Sequence, residues 1–196
     1  MPLLRTAAAI AVVAAMVRLA EGGVTSSIQT QSFRVEGTTA RGLVSFMNGH
    51  AISGDHGSAY ANLHPNYQLA LTTRAAGGIC VPRSVQVDIR FELTLPVAAT
   101  PGAMSGRTRS AWNGFAAFAR AHEAHHRASY VSCARAFVAK AMRQSAGQCF
   151  ALEGAIRSLF SQMKRDCEAK QRSFDRAQSR VLPGLRLFAM ARAQAR

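Results

Sequence analysis

The segment SVQVDIRFELTL at residues 84–95 decides the fold class of this chain. Every second position in it is apolar, namely Val85, Val87, Ile89, Phe91, Leu93 and Leu95. Successive side chains of a β-strand point to opposite faces, so this alternation predicts a strand with one buried face. Pro96 is expected to end the strand because it has no amide hydrogen, and residues 97–106 are expected to form a linker.

Two further strands and a short helix are predicted before this segment. The strands cover residues 32–36 and 67–74, and the helix follows Thr38 or Thr39 and ends near Met47. Residues 50–66 are rich in Gly, His, Ser and Asn, which is typical of a loop.

After residue 106 the pattern changes from strand to helix. Apolar and histidine side chains recur at three- and four-residue steps from Trp112 to His126, within a proline-free stretch at residues 111–146. A second helix is predicted at residues 150–179, and the short break near Gly147 favours an antiparallel hairpin of helices. The predicted class is therefore α+β, with a small antiparallel β-sheet followed by a long antiparallel helix pair.

The N-terminus has the features of a signal peptide, which we place at residues 1–23. A basic start is followed by a short apolar run and by small residues, with cleavage possible at Ala15 or Ala20. The run is too short to span a bilayer comfortably, and Arg18 interrupts it, so a permanent membrane anchor is the weaker interpretation. The sequence thus predicts a secreted or periplasmic protein.

The rest of the chain is expected to form one domain at residues 24–180 and a basic, frayed tail at residues 181–196. Four cysteines, an even number, suit an exported protein with two disulfides, for which three pairings are possible. Antiparallel packing of the two helices places Cys133 opposite Cys167. That pairing leaves Cys80 to join Cys149.

The chain is strongly basic, with 24 Lys and Arg against 10 Asp and Glu and a net charge of +14. Nucleic-acid binders share this feature, but here the basic residues are spread around the helices without interleaved aromatic side chains. The pattern favours a solvated basic surface, with attraction to anionic envelope surfaces as a by-product. We expect no specific nucleic-acid partner, and the sequence leaves the oligomeric state open.

The first long helix contains the motif H-E-x-x-H at residues 122–126. His122 and His126 stack one turn apart on a helix, so both can bind one zinc ion, and Glu123 can act as general base toward a zinc-activated water. His125 is also one turn from His122, but only the pair at i and i+4 leaves Glu123 in this role. The simplest alternative is a surface helix whose histidines merely titrate.

Several short motifs follow one another between residues 32 and 178. They are Phe33-x-Val35-x-Gly37, Gly78-Ile79-Cys80, Leu95-Pro96, Trp112-Asn113-x-Phe115, Ala121-His-Glu-x-x-His126, Cys149-x-x-Leu152-Glu153 and Gln171-x-x-Phe174-Asp175. In this order and spacing the chain resembles a bacterial family of predicted secreted zinc-dependent proteases, otherwise catalogued as a domain of unknown function. The resemblance implies export, a zinc ion on the two helix histidines, and hydrolysis of peptide bonds.

The chain departs from this family at the candidate third zinc ligand. Where the family carries a His-Gly, this sequence has Arg180-Val181, and an arginine side chain stays protonated and cannot bind zinc. Reflecting the helix pair about Gly147 brings residues 170–175 beside the motif. Asp175 is therefore the first candidate to replace the missing ligand, and Glu168 is the second.

Three histidines of the 50–66 loop can also fold over the site, namely His50, His56 and His64. The simpler interpretation of each is a loop residue that plays no part in the site. Tyr130, one turn beyond His126, and Arg127, the residue that follows His126 directly, are candidates to stabilise an oxyanion.

The sequence predicts an exported zinc metalloprotease that acts on a peptide or protein substrate. The alternative is a degenerate family member, catalytically weak or inactive, that acts as a basic envelope-binding protein.

Overall fold

Five strands and four α-helices make up the part of the chain that the computed structural model describes, residues 21–195. In chain order they are β1 (Glu21–Val35), α1 (Ala40–Gly49), β2 (Ile52–Gly54), β3 (Gly57–Ala59), β4 (Asn62–Ala76), β5 (Ile79–Ala98), α2 (Gly106–Ala141), α3 (Cys149–Gln178) and α4 (Arg186–Ala193). Short 3₁₀ turns at Pro101–Ala103 and Leu182–Gly184 precede α2 and α4. The class is α+β, as predicted.

The main sheet has three strands in the order β1-β5-β4 and is mixed. β4 and β5 form an antiparallel hairpin through Gly77 and Gly78, which both adopt a positive φ that glycine accepts without strain. β1, in contrast, runs parallel to β5, so the prediction of a purely antiparallel sheet is wrong. The reason is the connection: α1, the β2–β3 hairpin and β4 lie between β1 and β5, and such a long crossover permits parallel pairing.

β5 is the central strand and carries the predicted alternation. Val85, Val87, Ile89 and Phe91 are each at most 1% exposed and form one face of the core. The strand does not end at Pro96 but continues to Ala98. Proline is tolerated there because β5 pairs with β4 only as far as Thr94. Beyond that residue, only β1 lies alongside β5.

α2 and α3 cover the sheet and correspond to the two predicted long helices, each shifted by a few residues. The Ser105 hydroxyl caps α2 by accepting a hydrogen bond from the amide of Thr108. The helix therefore begins at residue 106, earlier than predicted.

Both disulfides agree with the predicted pairing. Cys133–Cys167 joins α2 to α3, and Cys80–Cys149 joins β5 to the start of α3.

Two segments are more ordered than the sequence suggested. The 50–66 region contains the small β2–β3 hairpin rather than only loop. The tail predicted to be frayed forms α4, whose Leu187 and Ala191 are buried in a second core against α1 and α2. Their spacing of four residues places both on one helix face, a signal hidden by the Arg- and Ala-rich composition.

Residues 1–20 of the predicted signal peptide lie outside the described residues. Across residues 21–195, none of the helices combines the length and the apolar character needed to cross a membrane.

Candidate metal centre

Two helices meet at the candidate site. His122, Glu123 and His126 lie on α2, and Asp175 lies near the end of α3. The disulfide Cys133–Cys167 fixes the two helices against each other about two turns away from these residues. The antiparallel packing therefore brings Asp175, the first candidate for a third ligand, directly to the two histidines.

Three side-chain atoms form a small triangle at this crossing. His122 Nε2 and His126 Nε2 are 2.9 Å apart, and Asp175 Oδ1 lies 3.1 Å from the first and 2.8 Å from the second. In the described part of the chain, this is the one group of His, Cys, Asp and Glu side chains with spacing suited to a metal ion.

The donor set fits zinc. Ligands about 2.0–2.1 Å from a tetrahedral zinc stand about 3.3 Å from one another, close to the separations in the triangle. Asp175 Oδ1 is buried and receives no hydrogen bond of good geometry from residues 21–195, although both imidazoles are near. A buried carboxylate oxygen without a donor is costly, and a cation bound at this point removes that cost.

Gln171 determines which nitrogen of His126 is free to bind a metal. His126 Nδ1 donates a hydrogen bond to Gln171 Oε1 at 2.8 Å, because an amide oxygen can only accept. Gln171 is itself held by donating from Nε2 to Ser129 Oγ at 2.9 Å. In the neutral imidazole, the Nε2 lone pair of His126 therefore faces the triangle, as metal ligation requires.

His56 holds the other oxygen of Asp175. It reaches over from the turn between β2 and β3, contacts Asp175 Oδ2 through Nδ1, and places Nε2 3.0 Å from Glu168 Oε2. Glu168 also accepts a hydrogen bond from the Tyr130 hydroxyl at 3.0 Å. Glu168, the second candidate ligand, thus lies outside the triangle and anchors His56 and Tyr130 instead.

The carboxyl groups of the site differ in electrostatic environment. Burial raises the pKa of Glu123 to about 7, although His122 and His126 oppose the shift. For Asp175, burial raises the pKa, but the close contacts with His122, His126 and His56 outweigh burial and hold the pKa well below the usual value. Burial would lower the pKa of His126, but its contacts with Asp175 and Gln171 raise it overall.

The remaining candidates lie away from the triangle. His125 is exposed and stacks on Phe174 with 3.9 Å between ring centroids, and His50 stacks on Phe46. His64 contacts the Asp55 carboxylate, and Arg127 donates to Ser26 Oγ on β1. Arg180 and Val181 are exposed beyond the end of α3.

Sequence reasoning missed the supporting role of Gln171. The signal was present, since Gln171 and Asp175 are four residues apart and share a face of α3.

A cavity of about 320 Å³ opens onto the triangle. Its walls come from α2, from residues 54–63 around the β2–β3 hairpin, and from the end of α3 with Leu182. His122, Glu123, His126, Asp175 and Tyr130 all line it. The size is at the lower end of the range for ligand pockets, about 300–1,000 Å³.

The fold and site define an α+β protein with a His₂-carboxylate group at a helix crossing and a carboxyl group next to it. The chain belongs to the family described as bacterial protein of unknown function (DUF922), whose sequence profile matches residues 30–180. Comparisons with curated proteins and with solved structures gave no match.

If His122, His126 and Asp175 hold zinc, replacing His56 with alanine is expected to weaken zinc binding by about 10- to 100-fold, the usual effect of removing a residue that orients a metal ligand. The physical reason is that Asp175 loses the contact that fixes its Oδ2. Zinc affinity measured by competition with a fluorescent chelator checks this. His50→Ala, a change on the Phe46 side of α1, should bind zinc as the unchanged protein does, and equal affinity in all three proteins would contradict the role of His56.

Proposed function

We propose that this protein is a zinc-dependent peptidase whose ion is held by His122, His126 and Asp175. The convergence of these three ligand atoms within 3.1 Å of one another, with Glu123 beside them in one cavity, is the observation that carries the proposal. These three protein ligands would hold a zinc ion and would leave its fourth position for water or substrate, as in catalytic zinc sites.

Bound zinc supplies a Lewis acid that acidifies a water molecule and polarises a carbonyl group. Glu123 is the residue that takes a proton from the attacking water and returns it to the leaving amine. Its carboxyl group is 4% exposed and shares the cavity with the histidines, so it is within reach of a substrate but shielded from bulk water.

The surrounding residues orient these groups. Gln171 fixes the ring of His126, and His56 fixes the carboxylate of Asp175. Of the two candidates for stabilising an oxyanion, Tyr130 lines the cavity, whereas Arg127 points toward β1. The Tyr130 hydroxyl, however, already donates its single hydrogen to Glu168, so neither side chain is placed to stabilise an oxyanion in this arrangement.

A peptide is the substrate that the cavity suits best. One wall is formed by Gly57, Ser58 and Ala59 of β3, whose small side chains leave the backbone accessible. Among the described strands β3 pairs with β2 alone, so its other edge offers amide and carbonyl groups. An extended peptide can hydrogen-bond along such an edge as an added strand.

The test is the metal content and activity of purified protein. We expect one zinc per chain and cleavage of a mixed peptide library. His122→Ala is expected to bind negligible zinc and to cleave nothing, because it loses one of three ligands. His125→Ala is the matched control, since this exposed neighbour stacks on Phe174 and should keep both properties. Iron in place of zinc, or equal zinc in all three proteins, would count against the proposal.

A second candidate function is binding to an anionic envelope surface without catalysis. It is favoured by the charge of α2, which carries six Lys and Arg and a single acidic residue, the buried Glu123. Its other motivation, the loss of the family His-Gly at Arg180-Val181, is weaker now that Asp175 lies beside both histidines. The test compares the biological phenotype of two variants. If the phenotype is retained in Glu123→Gln but lost when basic residues of α2 are replaced with acidic ones, this second function is favoured.

A further inference from the structure

Apolar side chains form part of the lining of the cavity at the metal centre, and this part is called its apolar end. Phe118 and Ala119 on α2 lie one turn before His122 and Glu123, so they occupy the same helix face next to the site. Leu182 closes the cavity from the segment after α3, and Ala59 and Tyr60 face it from the hairpin side. Phe118, Tyr60 and Leu182 are partly exposed and thus available for contact.

The charges around the cavity restrict which substrate side chains can bind at its apolar end. The chain has 24 Lys and Arg residues, yet none lines the cavity in the part that the structure describes. An acidic side chain would therefore find no cation there and would meet Glu123, Asp175 and Asp55. A basic side chain is not favoured at this end either, because Asp55 is engaged by His64 and Asn62, and the other two carboxyl groups, Glu123 and Asp175, lie at the metal centre.

We propose that the apolar end, walled by Phe118, Ala119 and Leu182, binds one large apolar side chain of a peptide, next to the bond that is cleaved. The inference rests on the proposed peptidase function and names its substrate class. The cavity of about 320 Å³ has room for one such side chain and the adjoining peptide group. Transfer of an apolar side chain from water onto this surface supplies the binding energy.

Cleavage of a mixed peptide library by zinc-loaded protein, with the products identified by mass spectrometry, tests the inference. On one side of the cleaved bond, the adjacent residue should be Leu, Ile, Met or Phe at least about 10-fold more often than Ala, Asp or Glu. This is the discrimination expected of an apolar pocket. Cleavage beside acidic or small residues at the same frequency would overturn it.

Leu182→Arg places a cation on the apolar wall and should lower kcat/KM for the best apolar peptide by about 10-fold or more, while raising it for the matched peptide with Glu. Val181→Arg adds the same charge at an exposed neighbouring residue outside the cavity and should leave both values unchanged. Zinc content reports whether Leu182→Arg is folded. If it is not, Leu182→Ala serves instead and should reduce the apolar preference. Unchanged preference in the folded Leu182 variant would overturn the inference.

The inference can be separated from the peptidase function itself. If zinc-loaded protein cleaves no peptide, its affinities for acetohydroxamic acid and 3-phenylpropanohydroxamic acid are compared by calorimetry. Binding of the phenyl compound about 10-fold tighter would support the apolar site although the peptidase proposal had failed. Equal affinities would refute the apolar site, and a protein that binds no zinc would refute both.

Discussion

Replacing Glu123 with glutamine is expected to reduce peptide hydrolysis by about 10²- to 10⁴-fold, the usual contribution of a general base. Glutamine has nearly the same shape but cannot accept the proton of the attacking water. Zinc content should stay at one per chain, because the metal is assigned to His122, His126 and Asp175. Steady-state kinetics on a cleaved peptide, together with metal analysis of the same sample, measure both quantities.

The matched control for this substitution is Glu36→Gln, which makes the same chemical change at an exposed residue after β1. It should retain full activity. A Glu123→Gln protein that binds zinc and still hydrolyses peptides at the original rate would show that another group accepts the proton.

Replacing Asp175 with alanine is expected to weaken zinc binding by about 100-fold or more. Loss of a residue that only orients a ligand already costs about 10- to 100-fold, and a direct ligand contributes more. The change also leaves His56 with Glu168 as its one remaining carboxylate contact. Zinc affinity measured by chelator competition is the appropriate assay, with hydrolysis falling in parallel.

Asp166→Ala is the control for this change. Asp166 lies on the same helix and is exposed, and it accepts a hydrogen bond from Gln162. Its removal should leave zinc affinity unchanged. If Asp175→Ala bound zinc as tightly as Asp166→Ala, the third ligand would have to be sought elsewhere, with Glu168 as the nearest alternative.

The helical part of the site was predictable because helices are regular. Residues of an antiparallel helix pair face each other when they are nearly symmetric about the connecting turn. The pairs His122–Asp175 and Cys133–Cys167 are centred near residues 148 and 150, within about one helical turn of Gly147. The helix boundaries therefore favoured Asp175 over Glu168 as the third ligand, and favoured the disulfide pairing that the structure contains.

His56 was one of three loop histidines named as able to fold over the site, but helix geometry could not single it out from His50 and His64. His56 contacts Asp175 across 119 residues of sequence, and no local pattern reports a contact of that range. The parallel pairing of β1 was missed for a related reason. Residues 25–32 of β1 are exposed and mostly small or polar, so they lack the alternation that reveals a buried strand face.

The disulfide between Cys133 and Cys167 has a consequence for the order in which the protein matures. It joins the helix that carries both histidines to the helix that carries Asp175, and its Cys167 sulfur lies 3.4 Å from Gln171 Nε2. In a reducing compartment this covalent link is absent, and the ligands are held together by packing alone. The three ligands are pre-organised only once the thiols are oxidised, which lowers the entropy cost of metal capture. If the chain is exported, as its N-terminal sequence predicts, the proposed function implies that tight metal affinity, and with it hydrolytic activity, is acquired after the chain leaves the compartment where it is synthesised.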